Sequence, residues 1–345
     1  MNTDNWINDR TIFSCVAGSR AYGLNTPSSD YDYRGVCIPP IEYYFGTQKF
    51  EQKDKGWPEK DKVVYGLHKF IELASKANPN ILELMFMPDD CITHTSLLWE
   101  AIVRERNLFL TKKVKHTYSG YAFAQLKRIE SHRKWLRNPP THAPTREEFG
   151  LGRERLSNEY YGLLEITFKN TVDAIDIIDS TNEGGLDTLT KRELWRTFEK
   201  ERKWRRAREE WESFQRWERE RNPERHELEK KFGFDTKHAS HCVRLMLQGL
   251  EILQKGTLSV RLSQEDRERC IGLKNGCCTY DALMEQCAGY NDLFECAHDL
   301  STLPHGADNG RIEELLVGVT RHSMEQYPYG WFRNIKEYAG RPSAK

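Results

Sequence analysis

The stretch "AGSRAYGLNTPSSDYDYRG", residues 17–35, places two aspartates one residue apart shortly after a Gly-Ser turn. The preceding segment, "TIFSCVAG", is apolar and β-branched and stops at a glycine, which predicts a buried strand. The following segment, "YDYRGVCIPP", predicts a second strand, ended by two prolines that cannot continue a ladder. We therefore expect Gly18 and Ser19 at the end of one strand, and Asp30 and Asp32 on the next.

The residue types in this stretch point to metal and phosphate chemistry. Side chains alternate across a sheet, so the carboxylates of Asp30 and Asp32 lie on one face if both are in the strand. Close carboxylates repel each other, and a hard divalent cation such as Mg²⁺ relieves that repulsion. Gly18 lets the backbone approach an anion, Ser19 and nearby N–H groups can hold a phosphate, and Arg20 adds a positive charge. A triphosphate site beside a metal site is one interpretation; a Ser-Ser-Asp turn followed by a surface strand is the other.

Composition excludes several classes of protein. The chain has 345 residues, enough for two domains, and its formal net charge of +0 gives no overall field toward nucleic acid or membranes. No apolar run approaches the roughly 20 residues that cross a bilayer. The start, "MNTDNWINDR", lacks the basic and then apolar order of a signal peptide. We expect a cytoplasmic protein with no membrane partner. Its nine scattered cysteines are typical of reduced thiols.

Periodicity along the chain predicts an α+β fold. Within the first hundred residues, "DKVVYGLHKFIELA" begins as a strand and passes into a helix. In "NPNILELMFMP", Asn78 is a possible helix cap before Pro79 at the first helical position. From about residue 112 the pattern is helical. We therefore predict a small mixed sheet with helices over residues 1–111 and a mostly helical domain over residues 112–345.

A segment at about 187–233 is dense in both signs of charge and in tryptophan, and Pro223 should end its long helix. It contains four tryptophans, Trp195, Trp204, Trp211 and Trp217, and a basic cluster: Lys200, Arg202, Lys203, Arg205, Arg206 and Arg208. Two interpretations are open. The cluster contacts nucleic-acid phosphates while the tryptophans stack on bases, or the charges pair within a solvated helical hairpin and the tryptophans pack.

The arrangement of Gly18-Ser19, ten further residues and then Asp30-Tyr31-Asp32 resembles the signature of nucleotidyltransferases of the DNA polymerase β superfamily. Four blocks in order, "GSRAYGLNTPSSDYDYRGV", "LHKFIELASKANPNILELMF", "GYAFAQLKR" and "KHASHCVRLM", resemble more narrowly the RlaP-like branch of bacteria and phages, which is linked to RNA repair. The resemblance implies a polymerase-β-like catalytic domain over residues 1–111, an NTP substrate, and Mg²⁺ or Mn²⁺ as cofactor. The charged segment has no counterpart in the family pattern.

The resemblance also implies roles for individual residues. Asp30 and Asp32 would bind two metal ions together with a third carboxylate on a neighbouring strand. Asp61, which opens "DKVVYGL", is our choice for that third ligand. Glu59, two residues earlier, and Glu42 are weaker alternatives.

The matching helical blocks supply further candidates for the site. Lys237, His241 and Arg244 share a helical face by their spacing and would hold the nucleotide, with Lys237 and Arg244 on phosphate oxygens. Gln125 and Arg128 are candidates for nucleic-acid binding in the same way. Helix packing or surface exposure is the alternative interpretation of the histidine.

The leading functional hypothesis is Mg²⁺-dependent transfer of a nucleoside monophosphate from an NTP to a nucleic acid end, with RNA or tRNA as the expected partner, in RNA repair. One alternative keeps the chemistry and changes the acceptor to a protein hydroxyl, as in antitoxin-like nucleotidyltransferases. Another is a catalytically silent module that binds nucleotide or RNA. The choice of NTP, the need for a template and the oligomeric state have no signal in the sequence.

Overall fold

The computed structural model describes residues 6–54, 61–169, 188–221 and 223–326. These residues fall into two compact units. The first combines the chain up to Glu130 with the chain from Phe232 onward, and the second is Ser131–Lys231. The predicted boundary between residues 1–111 and 112–345 stays a prediction. No helix in the described part of the chain is both long enough and apolar enough to cross a membrane.

The first unit contains a mixed five-stranded sheet of order β3-β4-β2-β1-β5. Strand β1 pairs antiparallel with β2 and β5, β3 pairs antiparallel with β4, and β2 and β4 run parallel. The strands are β1 (Thr11–Ala17), β2 (Asp32–Cys37), β3 (Gln52–Lys53), β4 (Lys62–Gly66) and β5 (Ile92–Thr95). The predicted fold class, a small mixed sheet with helices followed by a mostly helical region, is confirmed.

Helices connect and follow the strands. Those within the sheet region are α1 (Trp6–Asp9), α2 (Ser19–Tyr22), α3 (Glu42–Phe45), α4 (Leu67–Ser75), α5 (Pro79–Met85) and α6 (Leu97–Arg104). The helical region contains α7 (Val114–Arg137), α8 (Asn158–Lys169), α9 (Thr188–Glu220), α10 (Pro223–Phe232), α11 (Thr236–Lys255), α12 (Gln264–Lys274), α13 (Tyr280–Leu300) and α14 (Asn309–Gln326). Short 3₁₀ turns occupy Asp89–Cys91, Arg106–Phe109 and Glu147–Phe149.

Local sequence signals account for several of these boundaries. Pro79 opens α5, and the Asn78 side chain accepts a hydrogen bond from the N–H of Asn80 at 3.0 Å, as the cap prediction required. The segment "DKVVYGLHKFIELA" forms β4 followed directly by α4. Helix α9 ends at Glu220, just before Pro223, which is also as predicted.

Strand β2 begins two residues later than predicted. Strand β1 ends at Ala17, which pairs with Asp32, so the ladder between the two strands stops there. Asp30 therefore precedes the strand and does not share its alternation. A tight turn occupies the residues before it, since the N–H of Ser29 donates to the carbonyl of Thr26 at 3.0 Å.

One hydrophobic core joins the sheet to helices from both ends of the chain. Phe13 on β1 stacks on Trp99 of α6 with ring centroids 4.1 Å apart. Val243 and Met246 of α11 are fully buried in the same core. Because burial of each such side chain stabilises the fold by roughly 1.5–3 kcal/mol, α11 is fixed relative to the sheet.

A buried ion pair lies inside this core. The Arg244 guanidinium of α11 donates to Glu83 of α5 at 2.6 Å, and their side chains are only 1% and 5% exposed. The hydroxyl of Tyr22, at the end of α2, donates to the other Glu83 oxygen at 2.7 Å. The guanidinium also lies 3.8 Å from the Tyr22 ring centroid and donates to Gln248. Three segments far apart in sequence therefore meet at one polar cluster.

Substitution of the buried Arg244 should lower the free energy of unfolding. Arg244→Met leaves the Glu83 carboxylate without its cation, so the free energy of unfolding should fall by about 3–5 kcal/mol. Urea denaturation followed by circular dichroism measures it. Arg311→Met is the control, because it breaks an ion pair with Glu105 that is about half exposed, and it should cost less than about 1 kcal/mol. Equal losses in the two variants would show that burial of the pair is unimportant.

Candidate active site

The Gly-Ser turn brings the backbone directly against an aspartate. Gly18 follows β1 with φ of 67°, a conformation that L-residues rarely adopt, and Ser19 opens α2. A Cβ atom built at Gly18 would lie 2.2 Å from Oδ2 of Asp32. The turn therefore requires glycine for two reasons, its backbone conformation and the close approach of the carboxylate.

The Asp32 carboxylate is partly buried and lies among charged side chains of both signs. Burial raises its pKa above the ordinary value, and the charges of Asp61 and Asp30 raise it further. Arg34, whose Nη2 lies 3.8 Å from Oδ1, and Lys237 act in the opposite direction. The charges of both other predicted metal ligands therefore act on the Asp32 carboxylate, and we call Asp30, Asp32 and Asp61 the acidic cluster.

Strand pairing holds Asp61 in place next to Asp32. Asp61 directly precedes β4, which runs parallel to β2. Its carbonyl accepts hydrogen bonds from the N–H of Tyr33 at 3.2 Å and from Nη1 of Arg34 at 2.8 Å. Its φ of 66° is in the left-handed region, which aspartate tolerates better than most residues. Of the weaker alternatives, Glu42 opens α3, and Glu59 lies outside the described residues.

Helix α11 carries Lys237 and His241, and the first of them acts on Asp32. Lys237 is exposed, and its positive charge lowers the pKa of Asp32. His241 is partly buried, and burial together with the charge of Arg244 lowers its pKa to about 3. The imidazole is therefore neutral near pH 7, with one nitrogen able to donate and the other able to accept.

The expectation for Arg244 needs correction. Helical spacing predicts that it joins Lys237 on the nucleotide, but the guanidinium is buried and is held by Glu83, Gln248 and Tyr22. It cannot reach a phosphate in this arrangement. Its contribution to the site is structural, because it fixes the helix that carries Lys237.

A second lysine near the site had no sequence motif to mark it. Lys274, at the end of α12, is partly buried and donates to the carbonyl of Leu24 at 3.5 Å. Burial lowers its pKa, and the neighbouring charge of Lys237 lowers it further. The charges of the two ammonium groups therefore act on each other, and Lys237 in turn acts on Asp32. Only the fold could reveal this pair, since the two residues are on different helices.

Arg20 contacts the loop between the Gly-Ser turn and β2. Its Nη2 donates to the carbonyl of Ser29 at 2.8 Å, and the guanidinium stacks over the Tyr31 ring at 3.6 Å. It thereby closes the loop that leads into β2. A phosphate group that contacts Arg20 must therefore approach the turn from the side on which Ser29 and Tyr31 lie.

The two candidates on α7 have different surroundings. Gln125 is buried, and its Oε1 lies 2.8 Å from Nδ1 of His238, so it joins α7 to α11 and does not face a ligand. The prediction that Gln125 contacts nucleic acid therefore needs correction. Arg128 is exposed, and its charge contributes to the lowered pKa of His241.

Three of the six residues of the basic cluster in the second unit pair with acidic neighbours. Arg202 pairs with Glu199 at 2.7 Å, Arg205 with Glu201 at 3.1 Å and Arg208 with Glu212 at 2.9 Å; Lys200 donates to the carbonyl of Gly150. Lys203 and Arg206 are exposed. Trp204 is buried, and Trp195, Trp211 and Trp217 are partly buried. These contacts favour the packing interpretation for the tryptophans.

A cation fits the carboxylate cluster chemically. Burial raises the pKa of Asp32, and the like charges of Asp61 and Asp30 add to that effect. Carboxylate oxygens are the ligands that Mg²⁺ and Mn²⁺ prefer, and a divalent ion would remove the repulsion. The Gly18 turn leaves no space for a side chain between the backbone and this carboxylate.

Part of the chain matches a known protein family. Residues 2–141 match the model of the RlaP family, described as an RNA repair pathway DNA polymerase beta family. The match covers less than half of the chain, so it shows a similarity to this family. The match contains the Gly18 turn, Asp30, Asp32 and Asp61. It ends before the helix that carries Lys237.

Two curated relatives align with part of the chain. An uncharacterised 38.9 kDa protein from the nrdC-mobD intergenic region of Enterobacteria phage T4 is 26% identical over 127 residues, which is 34% of this chain and 38% of that protein. The uncharacterised protein YcgL of Bacillus subtilis (strain 168) is 29% identical over 86 residues, 21% of this chain and 29% of that protein. The alignments thus span well under half of each relative. No solved structure matches the chain.

A methyl group at Gly18 should disrupt the acidic cluster. Gly18→Ala places a Cβ against Asp32 in an unfavourable backbone conformation, so Mn²⁺ affinity should fall by at least the roughly 10- to 100-fold typical for loss of a residue that orients a ligand. Electron paramagnetic resonance of free Mn²⁺ measures the affinity. Gly120→Ala is the matched control, since a Cβ there meets nothing within 4 Å. Wild-type Mn²⁺ affinity in Gly18→Ala would contradict the assignment of Asp32 as a ligand.

Proposed function

We propose that this protein is a divalent-metal-dependent nucleotidyltransferase that transfers a nucleoside monophosphate from an NTP to a nucleic acid end, with RNA or tRNA as acceptor. The observation that carries the proposal is the close approach of Gly18 to Asp32, with Asp61 and Asp30 adding negative charge at the same carboxylate. The match of residues 2–141 to the model of a polymerase β family supports the reaction class, and the RNA repair description of that family supports the acceptor.

Acidic side chains would bind the metal, and hydrogen-bond donors and cations would act on the phosphates and on the acidic residues. Asp30, Asp32 and Asp61 would hold Mg²⁺ or Mn²⁺, which lowers the pKa of the acceptor hydroxyl and neutralises the leaving pyrophosphate. Ser19 would donate its hydroxyl to a phosphate oxygen where Gly18 brings the backbone close. Arg34 orients Asp61 through its carbonyl and partly offsets the charge of Asp32.

The lysines would act on the phosphates of the nucleotide. The charge of Lys237 acts on both Asp32 and Lys274, and a triphosphate between the two lysines and the carboxylates would satisfy both sets of charge. His241, neutral near pH 7, would donate a hydrogen bond to a phosphate or to the acceptor. Arrangement and charge compensation are the main contributions that a protein makes to phosphoryl and nucleotidyl transfer.

Labelling identifies the acceptor. The protein is incubated with Mg²⁺, each α-labelled NTP in turn and a mixture of RNA and lysate protein, and the products are separated after nuclease or protease treatment. We expect label that nuclease releases and protease does not. Label in protein would instead indicate transfer to a protein hydroxyl, and no incorporation of any NTP would refute the proposed activity.

Substitution of Asp32 should remove transfer without disrupting the fold. Asp32→Asn keeps the shape of the side chain and removes its charge, so the transfer rate should fall by more than the roughly 10- to 100-fold typical for loss of a residue that only orients a ligand. Asp54→Asn is a control, as Asp54 is an exposed carboxylate after β3. Transfer at the wild-type rate in Asp32→Asn would remove the active-site assignment.

The same substitution should stabilise the metal-free protein. The pKa of Asp32 is raised in the folded state, so the folded protein binds the proton more tightly and loses stability as pH rises through the interval above the ordinary pKa. In EDTA near pH 7, Asp32→Asn should therefore unfold at a higher temperature than wild type. The difference should shrink as pH falls below the ordinary carboxyl pKa. A lower unfolding temperature for the variant would mean that Arg34 and Lys237 outweigh burial.

A further inference from the structure

A separate cavity lies beside the loop that carries the acidic cluster. Its volume is about 450 Å³, within the range of small-molecule sites, and its lining includes Arg20, Arg261, Arg267, Tyr31 and Asp90. We call it the arginine pocket. All of its lining residues belong to the first compact unit.

The pocket is built by contacts between the Gly-Ser turn and the segment around α12. Gly23 has φ of 75°, and a Cβ there would lie 3.3 Å from Cδ of Arg267, so glycine lets this arginine pack against the turn. The N–H of Leu262 donates to the carbonyl of Tyr22 at 3.3 Å. Leu24, Leu262 and Cys270 form a small hydrophobic cluster behind it. The two segments are therefore held together, and the pocket is a fixed feature of this unit.

Positive charge in the pocket is only partly balanced. Arg261 donates to Asp90 at 2.8 Å and to the sulfur of Cys91. Arg20 has a neutral partner, the carbonyl of Ser29, and its buried Nε has no hydrogen-bond partner in the described part of the chain. Within that part, Arg267 makes no side-chain ion pair. Three guanidinium groups and one carboxylate thus line the pocket, and a bound anion would neutralise the excess positive charge.

An aromatic ring lies at the same place. Tyr31 is 51% exposed and has the Arg20 guanidinium over one face. It stands between Asp30 and Asp32 in the chain, so the pocket and the acidic cluster share one short segment. Exposed aromatic rings and stacked guanidinium planes bind unpaired bases, while arginine forks bind phosphate oxygens.

We propose that the arginine pocket binds a phosphate group of a nucleotide unit, with Arg261 and Arg267 on the phosphate and the Arg20–Tyr31 stack on the attached base. The nucleotide unit belongs either to a single-stranded acceptor or to the free triphosphate. This inference rests on the proposed nucleotidyltransferase function, because that function supplies both ligands.

Binding measurements without turnover test the pocket directly. Fluorescence anisotropy with a labelled single-stranded RNA oligonucleotide in EDTA reports acceptor binding, and a fluorescent ATP analogue with Mg²⁺ and no acceptor reports triphosphate binding. Arg267→Ala and Arg261→Ala should each weaken one of these affinities about tenfold. If the ligand is RNA, the slope of log affinity against log salt should fall by about one.

Three further variants, at Asp90 and Tyr31, have different expected effects. Asp90→Asn removes the carboxylate that competes for Arg261, so affinity should rise about threefold. Tyr31→Ala should weaken binding about tenfold while Tyr31→Phe keeps it, because the ring and not the hydroxyl stacks on the base. Arg104→Ala is the matched control, an exposed arginine on α6 away from the pocket lining, and it should leave both affinities unchanged.

The outcomes separate the two ligands and the two proposals. Losses confined to RNA assign the pocket to the acceptor strand, and losses confined to the ATP analogue assign it to the triphosphate. If Arg261→Ala and Arg267→Ala bind both ligands as Arg104→Ala does, the pocket inference is overturned, even where the wild-type protein transfers nucleotides. Arginine-dependent binding in a protein that transfers no nucleotide would overturn the proposed function and leave the pocket inference standing.

Discussion

The buried ion pair between Glu83 and Arg244 determines how the two ends of the first unit meet. Removing two charges from water is costly, and the cost is offset only where further hydrogen bonds surround the pair. Here Tyr22 and Gln248 provide them. Because Tyr22 ends the short helix that follows the Gly-Ser turn, the pair connects that turn to α5 and α11 at once. The placement of Lys237 near Asp32 follows from this connection.

The acidic cluster, unlike the buried ion pair of Glu83 and Arg244, brings groups of like charge together. Burial raises the pKa of Asp32, and the charges of Asp61 and Asp30 raise it further against the opposing charges of Arg34 and Lys237. The turn at Gly18 approaches the same carboxylate so closely that a side chain there would meet it. Strain of this kind persists only where the surrounding structure imposes it, and it is typical of functional sites. The rigid core therefore holds the acidic residues close together.

Local signals made much of the fold predictable, while long-range contacts did not. Strand β1, the Asn78 cap and the passage from β4 to α4 each depend on residues adjacent in sequence, and each was predicted correctly. Arg244 was assigned to the nucleotide because helical spacing gives the face of a side chain but not its partner, which lies 161 residues earlier. Lys274 belongs to no motif, and only the fold brings it to the carbonyl of Leu24 and near the charge of Lys237.

The segment from Gly18 to Asp32 serves two surfaces of the same unit. Gly18 allows the approach of the Asp32 carboxylate, and Gly23, also in a left-handed conformation, allows the approach of Arg267. The first glycine thus belongs to an anionic site that needs cations, and the second to a cationic pocket that needs an anion. A metal-bound nucleotide would supply the cations for the first site, and a neighbouring phosphate of a nucleic acid strand would supply the anion for the second. A loop of this length can therefore place both ligands without a separate binding domain.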